Sequence, residues 1–296
     1  MKNSTINTKG AAKTGDQPTL IVAIEQNFPK QKRIINDNLA TKLYAGSNKF
    51  WIWATKNTWI RSFIIYLREK IVPGGWSGFL VRKRYIDEKL IEAVQNENID
   101  AIVNLGAGFD TRLYRLPEVK NVPAWEVDQT SNIISKQNRL QKIFHQIPKN
   151  IKLVAIDFTQ QKIDNVLKIH EDLENKRTFL IWEAVSQYLD ESSANQTFDF
   201  FSKFPKGSKL VFTYVPNDFI TGKNLYGAKT FYKMAVKGNL WHFGLNPEEI
   251  AAYLNKYGWQ LIEDLDYSDL DYRYVKPTGR KLSVMEIERI VYAEKL

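Results

Sequence analysis

The stretch that most constrains the fold is residues 102–111, where an apolar run of strand type ends in Gly106-Ala107-Gly108 and a segment able to form a helix follows. Glycine has no Cβ, so the backbone can turn sharply there and a ligand can lie against it. The helix that follows would direct unpaired N–H groups at that ligand. The pattern predicts a parallel strand, a tight turn and a helix that together bind a nucleotide-like cofactor.

Strands and helical stretches alternate along most of the chain after this run. Further strands are predicted at residues 123–127, 151–156, 179–182, 209–215, 259–266 and 286–293. Repeated strands separated by helices are typical of a doubly wound parallel sheet. The sequence therefore predicts an α/β, Rossmann-like fold with a seven-stranded, mostly parallel sheet and helices on both faces.

Four parts of the chain are predicted from composition. Residues 1–18 are polar and predict a disordered tail. Residues 19–96 predict an aromatic helical cap, most of whose rings are expected to be buried against the main domain, while a few wall a substrate pocket. Residues 97–215 and 249–296 predict the cofactor-binding domain. Residues 216–248, inserted after the fifth strand, predict a lid above the carboxyl edge of the sheet.

Composition excludes several classes of site. The chain has no cysteine, which excludes disulfides, thiolate metal sites and a cysteine nucleophile, and its three scattered histidines (145, 170 and 242) predict no metal site. The net charge of +9 is spread along the chain without a nucleic-acid motif, so no nucleic-acid partner is predicted. No membrane partner is expected either, because the N-terminus lacks a signal-peptide core and the most apolar region, 59–81, is broken by charges. A cytoplasmic monomer is expected, with a homodimer as the alternative.

Two classes of cofactor fit a Gly-x-Gly turn. A dinucleotide requires the fingerprint G-x-G-x-x-G, which fails here because Thr111 stands at the third glycine and Asp110 would add negative charge beside a pyrophosphate. S-adenosyl-L-methionine is a sulfonium cation without phosphates, and it tolerates nearby carboxylates. Acidic residues close the second, third and fourth strands at Asp128, Asp157 and Glu183. This series favours S-adenosyl-L-methionine, with Asp128 at the ribose, Asp157 at the adenine and Glu183 near the methionine moiety.

Several motifs resemble those of the leucine carboxyl methyltransferase family, which includes bacterial members that act on small or unknown substrates. The run Asn104-Leu-Gly-Ala-Gly-Phe-Asp-Thr-Arg112 is highly specific, and the similarity continues at residues 125–129, 155–158, 182–189, 241–245 and 286–293. The resemblance implies the class I methyltransferase form of the Rossmann-like fold. It also implies S-adenosyl-L-methionine as cofactor.

The resemblance implies roles for individual residues. Gly106, with Ala107, Gly108 and Asp110, implies the turn beside the cofactor, and Asp128, with Gln129, implies the ribose contact. Asp157 with Phe158 implies adenine recognition, and Glu183 with Tyr188 implies the site at the fourth strand. An arginine on the helix before the first strand pairs with the cofactor carboxylate in the family; Arg84 is the best match, with Arg82 as the alternative. The sequence departs from the bacterial members at Ala184 and Ser186.

Methyl transfer from a sulfonium is an in-line displacement, so much of the catalysis lies in alignment. A carboxylate acceptor is ionised at pH 7 and needs no base, whereas a hydroxyl acceptor needs one, for which His242 is the candidate. Tyr214, Tyr226 and Tyr232 are candidates for orienting the acceptor. The sequence thus predicts methylation of a carboxylate on a small, partly apolar acceptor. A hydroxyl O-methyltransferase, a NAD(P)-dependent oxidoreductase, a catalytically silent binding protein and an RNA methyltransferase stay open as alternatives.

Overall fold

Seven strands form one sheet in the computed structural model, which describes residues 16–156, 161, 163–168 and 173–296. In chain order the strands are β1 (Ala101–Leu105), β2 (Ala124–Asp128), β3 (Ile151–Ala155), β4 (Thr178–Trp182), β5 (Lys209–Tyr214), β6 (Trp259–Leu265) and β7 (Arg289–Lys295). Their spatial order is β3-β2-β1-β4-β5-β7-β6, and β7 runs antiparallel to both of its neighbours while the remaining pairs are parallel. The predicted seven-stranded, mostly parallel α/β fold is confirmed.

The strands at the centre of the sheet are apolar because both of their faces are covered. All residues of β1, β2, β4 and β5 are buried. Side chains alternate between the faces, so Ile102 and Phe179 lie in one hydrophobic cluster while Val103 and Leu180 lie in the other. The sheet therefore separates two cores.

Thirteen α-helices are present in the described part of the chain. They are α1 (Asp16–Glu25), α2 (Asn38–Lys42), α3 (Gly46–Ala54), α4 (Thr58–Ile71), α5 (Gly75–Asn96), α6 (Arg112–Arg115), α7 (Thr130–Phe144), α8 (Ile163–Lys168), α9 (Glu191–Phe201), α10 (Asn217–Thr221), α11 (Lys229–Ala235), α12 (Ile250–Asn255) and α13 (Tyr267–Leu270). Polar side chains cap the starts of two of these helices by accepting hydrogen bonds from backbone N–H groups. The Asp37 side chain accepts from the Ala40 N–H at the start of α2, and the Asn57 side chain accepts from two N–H groups at the start of α4. No helix among the described residues has the length and hydrophobicity needed to cross a membrane.

The strand order places a crevice between β1 and β4. The chain proceeds outward from β1 through β2 and β3, then returns to the other side of β1 and proceeds outward again through β4 and β5. Ligands of open α/β sheets bind at such a reversal, outside the carboxyl ends of the strands. The glycine turn after β1 and Glu183 after β4 are consequently brought to the same place.

The prediction that most aromatic rings of the N-terminal helices are buried is wrong. Six of the eight rings between residues 50 and 79 are exposed, with exposed fractions of 49–86% (Phe50, Trp51, Trp53, Trp59, Phe63 and Tyr66). Of the other two, Trp76 is buried and Phe79 is half-buried. The reason is that α4 buries only Arg61 among its residues, and no described element covers the outer sides of α3 and α4.

Predicted boundaries differ from the structure by more than two residues in two places. Helix α1 begins at Asp16, inside the predicted tail, and the last strand begins at Arg289, three residues after the predicted start at Glu286. Two short helices, α10 and α11, occupy the predicted lid region, and Pro216 pairs with Leu245 across its base. The division of the chain into tail, cap, cofactor-binding domain and lid stays a prediction.

Candidate functional site

A cavity of about 410 Å³ lies at the carboxyl ends of β1, β2 and β4, within the size range of small-molecule sites. Eight of the predicted cofactor-binding residues line it: Gly106, Ala107, Gly108, Asp110, Asp128, Gln129, Glu183 and Tyr188. Asp157 and Phe158 lie outside the described residues. Among the described residues, no group of three or more His, Asp or Glu side chains is arranged to hold a metal ion.

The glycine turn is fixed to the end of β2 by hydrogen bonds. The N–H groups of Gly106 and Ala107 donate to the Val127 carbonyl at 2.8 and 3.2 Å. Gly106 has φ +70° and Gly108 has φ +45°, a region that L-residues with a Cβ rarely adopt. A Cβ added to Gly106 would lie 2.3 Å from the Val185 Cγ2 atom. Glycine is therefore required at 106 by both conformation and packing.

We expect the substitution Gly106→Ala to destabilise the fold more than the same change at Gly227. Gly227 has φ +69°, but no atom lies within 4 Å of the place that a Cβ would take there, so Gly227→Ala should cost only the left-handed conformation, about 1–2 kcal/mol. Gly106→Ala adds the clash with Val185, about 1–3 kcal/mol more. Urea unfolding of both variants measures the difference. Equal losses would show that Val185 moves aside freely, and Gly106→Ala/Val185→Ala should recover part of the extra loss.

Asp128 ties the end of β2 to the glycine turn and to α7. Its Oδ2 accepts from the Gly108 N–H at 2.6 Å. Its Oδ1 accepts from the Gln129 N–H at 2.6 Å and from the Asn132 side chain at 2.8 Å. A carboxylate offers about four acceptor positions, so the described residues leave one of them free, and Asp128 lines the cavity. The carboxylate is thus held in one orientation toward the cavity.

Beneath the cavity lies a buried ionic cluster formed by Arg82, Lys83, Asp110, Arg112, Glu183 and Glu288, whose side chains are all 10% exposed or less. Glu183 is at its centre. It accepts from Arg82 Nε at 2.9 Å and from Arg112 Nη2 at 2.8 Å, and Lys83 Nζ lies 3.3 Å away. Burial raises the pKa of Glu183, but the charges of Lys83, Arg112 and Arg82 outweigh burial and hold that pKa below its usual value. Glu183 is therefore a carboxylate at neutral pH.

The remaining members extend the cluster to both sides. Asp110 Oδ1 accepts from the Arg112 N–H at 2.8 Å, and its Oδ2 lies 3.0 Å from Arg112 Nε. Burial opposes ionisation of Asp110, but Arg112 and Lys83 hold its pKa far below the usual range. On the other side, Arg82 Nη1 donates to both oxygens of Glu288 at 3.0 and 2.7 Å. Asp110 therefore serves mainly to anchor Arg112, although it also lines the cavity.

The structure favours Arg82 over Arg84 as the arginine of the site. Arg82 and Lys83 line the cavity, whereas Arg84 does not. Positions two apart on a helix point about 200° apart, and Arg84 accordingly faces away. Its Nε donates to Glu88 at 2.9 Å, its Nη1 donates to the Ile34 carbonyl at 3.1 Å, and its guanidinium lies over the Tyr274 ring. The cofactor contact stays a prediction, and Arg82 is the better placed of its two candidates.

None of the four residues predicted to act on the acceptor (Tyr214, Tyr226, Tyr232 and His242) is among those that line the cavity. Tyr214 is buried in β5, where its hydroxyl donates to Asp264 at 2.9 Å. The Tyr226 hydroxyl donates to Asp218 at 2.6 Å, and burial together with this bond raises the pKa of Tyr226 to about 12. His242 is half-buried, and its backbone N–H donates to the Gln187 carbonyl at 2.7 Å. These local partners hold Tyr214, Tyr226 and His242 outside the cavity wall.

Sequence reasoning did not assign several residues that line the cavity: Phe79, Lys83, Gln187, Phe231, Trp241, Met285 and Glu288. Gln187 is 2% exposed, and its Oε1 has no hydrogen-bond partner among the described residues. It therefore presents an unused acceptor in the cavity wall. Gln187, Trp241 and Glu288 lie in segments that resemble the family. Their position in those segments is the one feature of the sequence that could have indicated a place in the site.

Comparison with known proteins agrees with this geometry. The family model described as leucine carboxyl methyltransferase matches residues 17–202, which include the glycine turn, Asp128 and Glu183. The chain belongs to the leucine carboxyl methyltransferase family. The resemblance that the sequence predicted is confirmed.

The curated relatives of this family member match it over part of their length. YktD of Bacillus subtilis (strain 168), an inferred S-adenosyl-L-methionine-dependent methyltransferase, is 30% identical over 65% of this chain and 64% of its own. An inferred methyltransferase of the same cofactor class from Mycolicibacterium paratuberculosis is 28% identical over 47% of this chain and 52% of its own. This family member therefore spans less than two thirds of the relatives that it matches.

Solved structures share the fold of this family member. An inferred methyltransferase from Thermobifida fusca YX has a TM-score of 0.58 at 15% identity, covering 80% of this chain and 88% of its own. A DUF574 family protein from Streptomyces avermitilis has a TM-score of 0.55 at 12% identity, and the match covers 87% of this chain and 97% of its own. At these identities the likeness shows the fold alone, the class I methyltransferase form of the Rossmann-like sheet.

Proposed function

We propose that this protein is an S-adenosyl-L-methionine-dependent O-methyltransferase that methylates the carboxylate of a small, partly apolar acceptor. One observation carries the proposal: the cavity at the chain reversal of a family member joins the glycine turn, Asp128 and the buried ionic cluster in a single site. S-adenosyl-L-methionine is the cofactor, and it supplies an electrophilic methyl group on a sulfonium.

The charges of the cavity support a cationic cofactor. Among the described residues that line it, six are carboxylates and two are cations: Asp110, Asp128, Asp164, Glu183, Asp199 and Glu288, with Arg82 and Lys83. Opposite charges attract strongly at a partly desolvated site, and like charges repel. Arg112 and Lys203 pair with two of these carboxylates, Glu183 and Asp164, which leaves an excess of two negative charges. A pyrophosphate would meet this excess unfavourably, whereas a sulfonium would be stabilised by it. The charge balance therefore favours S-adenosyl-L-methionine over a nicotinamide dinucleotide.

The residues of the cavity divide naturally between the parts of the cofactor. Asp128 has a free acceptor position suited to a ribose hydroxyl, and the turn at 106–108 allows close approach of the cofactor to the backbone. Arg82 and Lys83 are the cations of the cavity wall and suit the carboxylate of the methionine part, while Glu183 suits its ammonium. Adenine recognition by Asp157 and Phe158 stays a prediction from the family resemblance.

Large apolar side chains form one part of the described cavity wall, and we assign the acceptor to that part. Phe79, Phe231, Trp241 and Met285 contribute rings and a thioether to the wall. No histidine occurs among the described residues that line the cavity. A carboxylate is its own nucleophile at neutral pH, so the protein needs only to align it with the methyl group and exclude water.

Thermal unfolding with S-adenosyl-L-methionine, S-adenosylhomocysteine, NAD⁺ and NADP⁺ tests the cofactor. A ligand of the native state at a hundredfold excess over its Kd adds about 2.7 kcal/mol of stability, so both adenosyl compounds should raise the melting temperature and neither dinucleotide should. Carboxylic acids and matched alcohols of graded hydrophobicity then test the acceptor by release of S-adenosylhomocysteine. Ester formation that survives His242→Gln supports the carboxylate proposal. Turnover confined to alcohols and abolished by His242→Gln would replace it with the hydroxyl alternative.

A further inference from the structure

Helices α3 and α4 carry an unusual exposed surface, which we call the aromatic face: Phe50, Trp51 and Trp53 on α3, and Trp59, Ile60, Phe63, Tyr66, Leu67 and Ile71 on α4. Trp59 is 86% exposed and Trp53 is 62% exposed. Solitary exposed apolar residues are ordinary, but nine large ones on two consecutive helices indicate a surface that binds something.

The arrangement of these side chains follows from how α4 packs. Trp59, Phe63 and Tyr66 recur at helical spacing and therefore share one side of α4. The opposite side carries Arg61, which is buried where it donates to the carbonyls of Asn27 and Thr55. Ile65 also packs against the core, whereas the six residues of α4 that belong to the aromatic face are exposed.

The charges around the aromatic face are almost all positive. Apart from Arg61, which is buried on the opposite side of α4, the chain between Asn38 and Val72 has five basic residues (Lys42, Lys49, Lys56, Arg68 and Lys70) and one acidic residue, Glu69. The Glu69 carboxylate is occupied, since it accepts from the N–H groups of Gly74 and Trp76 at 2.7 and 3.0 Å. Lys56 and Lys70 are exposed. The partner of this face must therefore accept both aromatic side chains and positive charge.

We propose that the aromatic face binds the surface of an anionic lipid bilayer. Tryptophan and tyrosine favour the boundary between lipid headgroups and acyl chains, and helices that lie at this boundary combine aromatic and apolar residues with lysine. A second copy of this chain would place like-charged lysines opposite one another in a twofold interface. The sequence predicts no membrane partner because it contains no uninterrupted apolar span, but that criterion does not bear on binding at a bilayer surface. The sequence also does not show that these rings are exposed.

The aromatic face adjoins the wall of the cavity. Val72, directly after α4, packs against a hydrophobic cluster that contains Trp241 and Met285, and both of these residues line the cavity. Binding to a bilayer through α3 and α4 would therefore bring the acceptor side of the cavity close to the lipid. This consequence for substrate entry rests on the proposed function, whereas membrane binding itself does not.

Cosedimentation of the purified full chain with phosphatidylcholine vesicles, with and without phosphatidylglycerol, tests the proposal. We expect binding to the anionic vesicles that weakens with added salt. Trp59→Ser/Phe63→Ser should weaken binding by about tenfold or more, because these two rings would no longer bury apolar area in the bilayer. Lys56→Gln/Lys70→Gln should weaken it by about fivefold for each lysine removed. Tyr272→Ser, which changes an exposed ring outside the aromatic face, is the matched control and should bind as the unmodified chain does.

The competing occupant of the aromatic face is a second copy of this chain. Light scattering without lipid tests for it by measuring whether the protein is a monomer or a dimer. A monomer that binds anionic vesicles supports the proposal. A dimer that Trp59→Ser/Phe63→Ser converts to a monomer would overturn it in favour of self-association. Absence of vesicle binding, or binding that the aromatic variant leaves unchanged, would also overturn it. Cofactor binding by the Trp59→Ser/Phe63→Ser variant, measured by the melting temperature with S-adenosylhomocysteine, reports on the proposed function separately.

Discussion

Replacement of Lys136 by Met should destabilise the fold by about 3–5 kcal/mol, because it leaves a buried carboxylate without its cation. Lys136 on α7 and Glu126 on β2 are both fully buried, and Lys136 Nζ lies 2.7 Å from Glu126 Oε1. The Tyr114 hydroxyl, which donates to Glu126 at 2.7 Å, is a neutral partner and cannot compensate the charge. Urea unfolding at neutral pH measures the loss.

Two control variants separate the charge from other effects of the change. Lys142→Met removes an exposed lysine from the same helix and should change stability by no more than about 0.5 kcal/mol. Glu126→Gln/Lys136→Met removes both charges and should recover most of the loss. A double variant no more stable than Lys136→Met would show that packing, rather than the unpaired carboxylate, accounts for the effect.

The loss in Lys136→Met should shrink as the pH is lowered. Burial raises the pKa of Glu126 in the folded protein, and the charge of Lys136 partly opposes this rise. Removal of Lys136 should therefore raise the pKa of Glu126 further. A carboxyl whose folded-state pKa exceeds its unfolded value binds more protons in the native state, so its contribution to stability is retained below the unfolded pKa and lost as the pH rises through the folded pKa. Unfolding between neutral pH and about pH 4.3, the unperturbed glutamate pKa, should therefore show the variant approaching the unmodified chain.

Arg82→Gln should lower the affinity for S-adenosylhomocysteine by about 10- to 100-fold, the effect of losing one charge-assisted hydrogen bond at a buried site. This expectation rests on the proposed function. Arg82 lines the cavity and bridges Glu183 and Glu288, so its loss removes a cation from the wall and leaves Glu288 without that partner. Arg82→Lys keeps the charge but loses the planar guanidinium with its several N–H donors. We expect its affinity for S-adenosylhomocysteine to lie between those of Arg82→Gln and the unmodified chain. Isothermal titration calorimetry measures both variants.

Arg84→Gln is the matched control, two residues away on the same helix. It breaks a partly exposed pair with Glu88, which contributes only about 0.3–0.5 kcal/mol, and should leave the affinity within about twofold. The melting temperature without ligand shows whether each variant is folded. If Arg84→Gln lost as much affinity as Arg82→Gln, the assignment of the cofactor contact to Arg82 would be wrong.

The local sequence was sufficient to predict the features that depend on backbone geometry and strand order. Gly106 and Gly108 predict a turn because only glycine readily adopts the conformation seen there. Strand-like runs separated by helical stretches predict a parallel sheet, and parallel strands of one sheet end at one edge. Asp128 and Glu183 could thus be placed together although 55 residues separate them.

Tertiary structure decided which side of a helix faces what. Arg82 and Arg84 are chemically equivalent in the sequence, and only the packing of α5 against the sheet turns Arg82 into the cavity and Arg84 away from it. The buried ionic cluster could not be predicted from the sequence either, because its members come from four separate segments, which contain Lys83, Asp110, Glu183 and Glu288.

Local sequence patterns suffice to predict a doubly wound α/β sheet of the leucine carboxyl methyltransferase family, with a glycine turn and acidic strand ends at one edge. These features depend on residues that are adjacent in the chain or that end successive strands. The positions of His242, Tyr214 and Tyr226 outside the cavity, and the exposure of the rings of α3 and α4, depend instead on how the elements pack. An apolar residue is buried only if another element covers it, and for Trp59 and Phe63 the fold supplies none among the described residues.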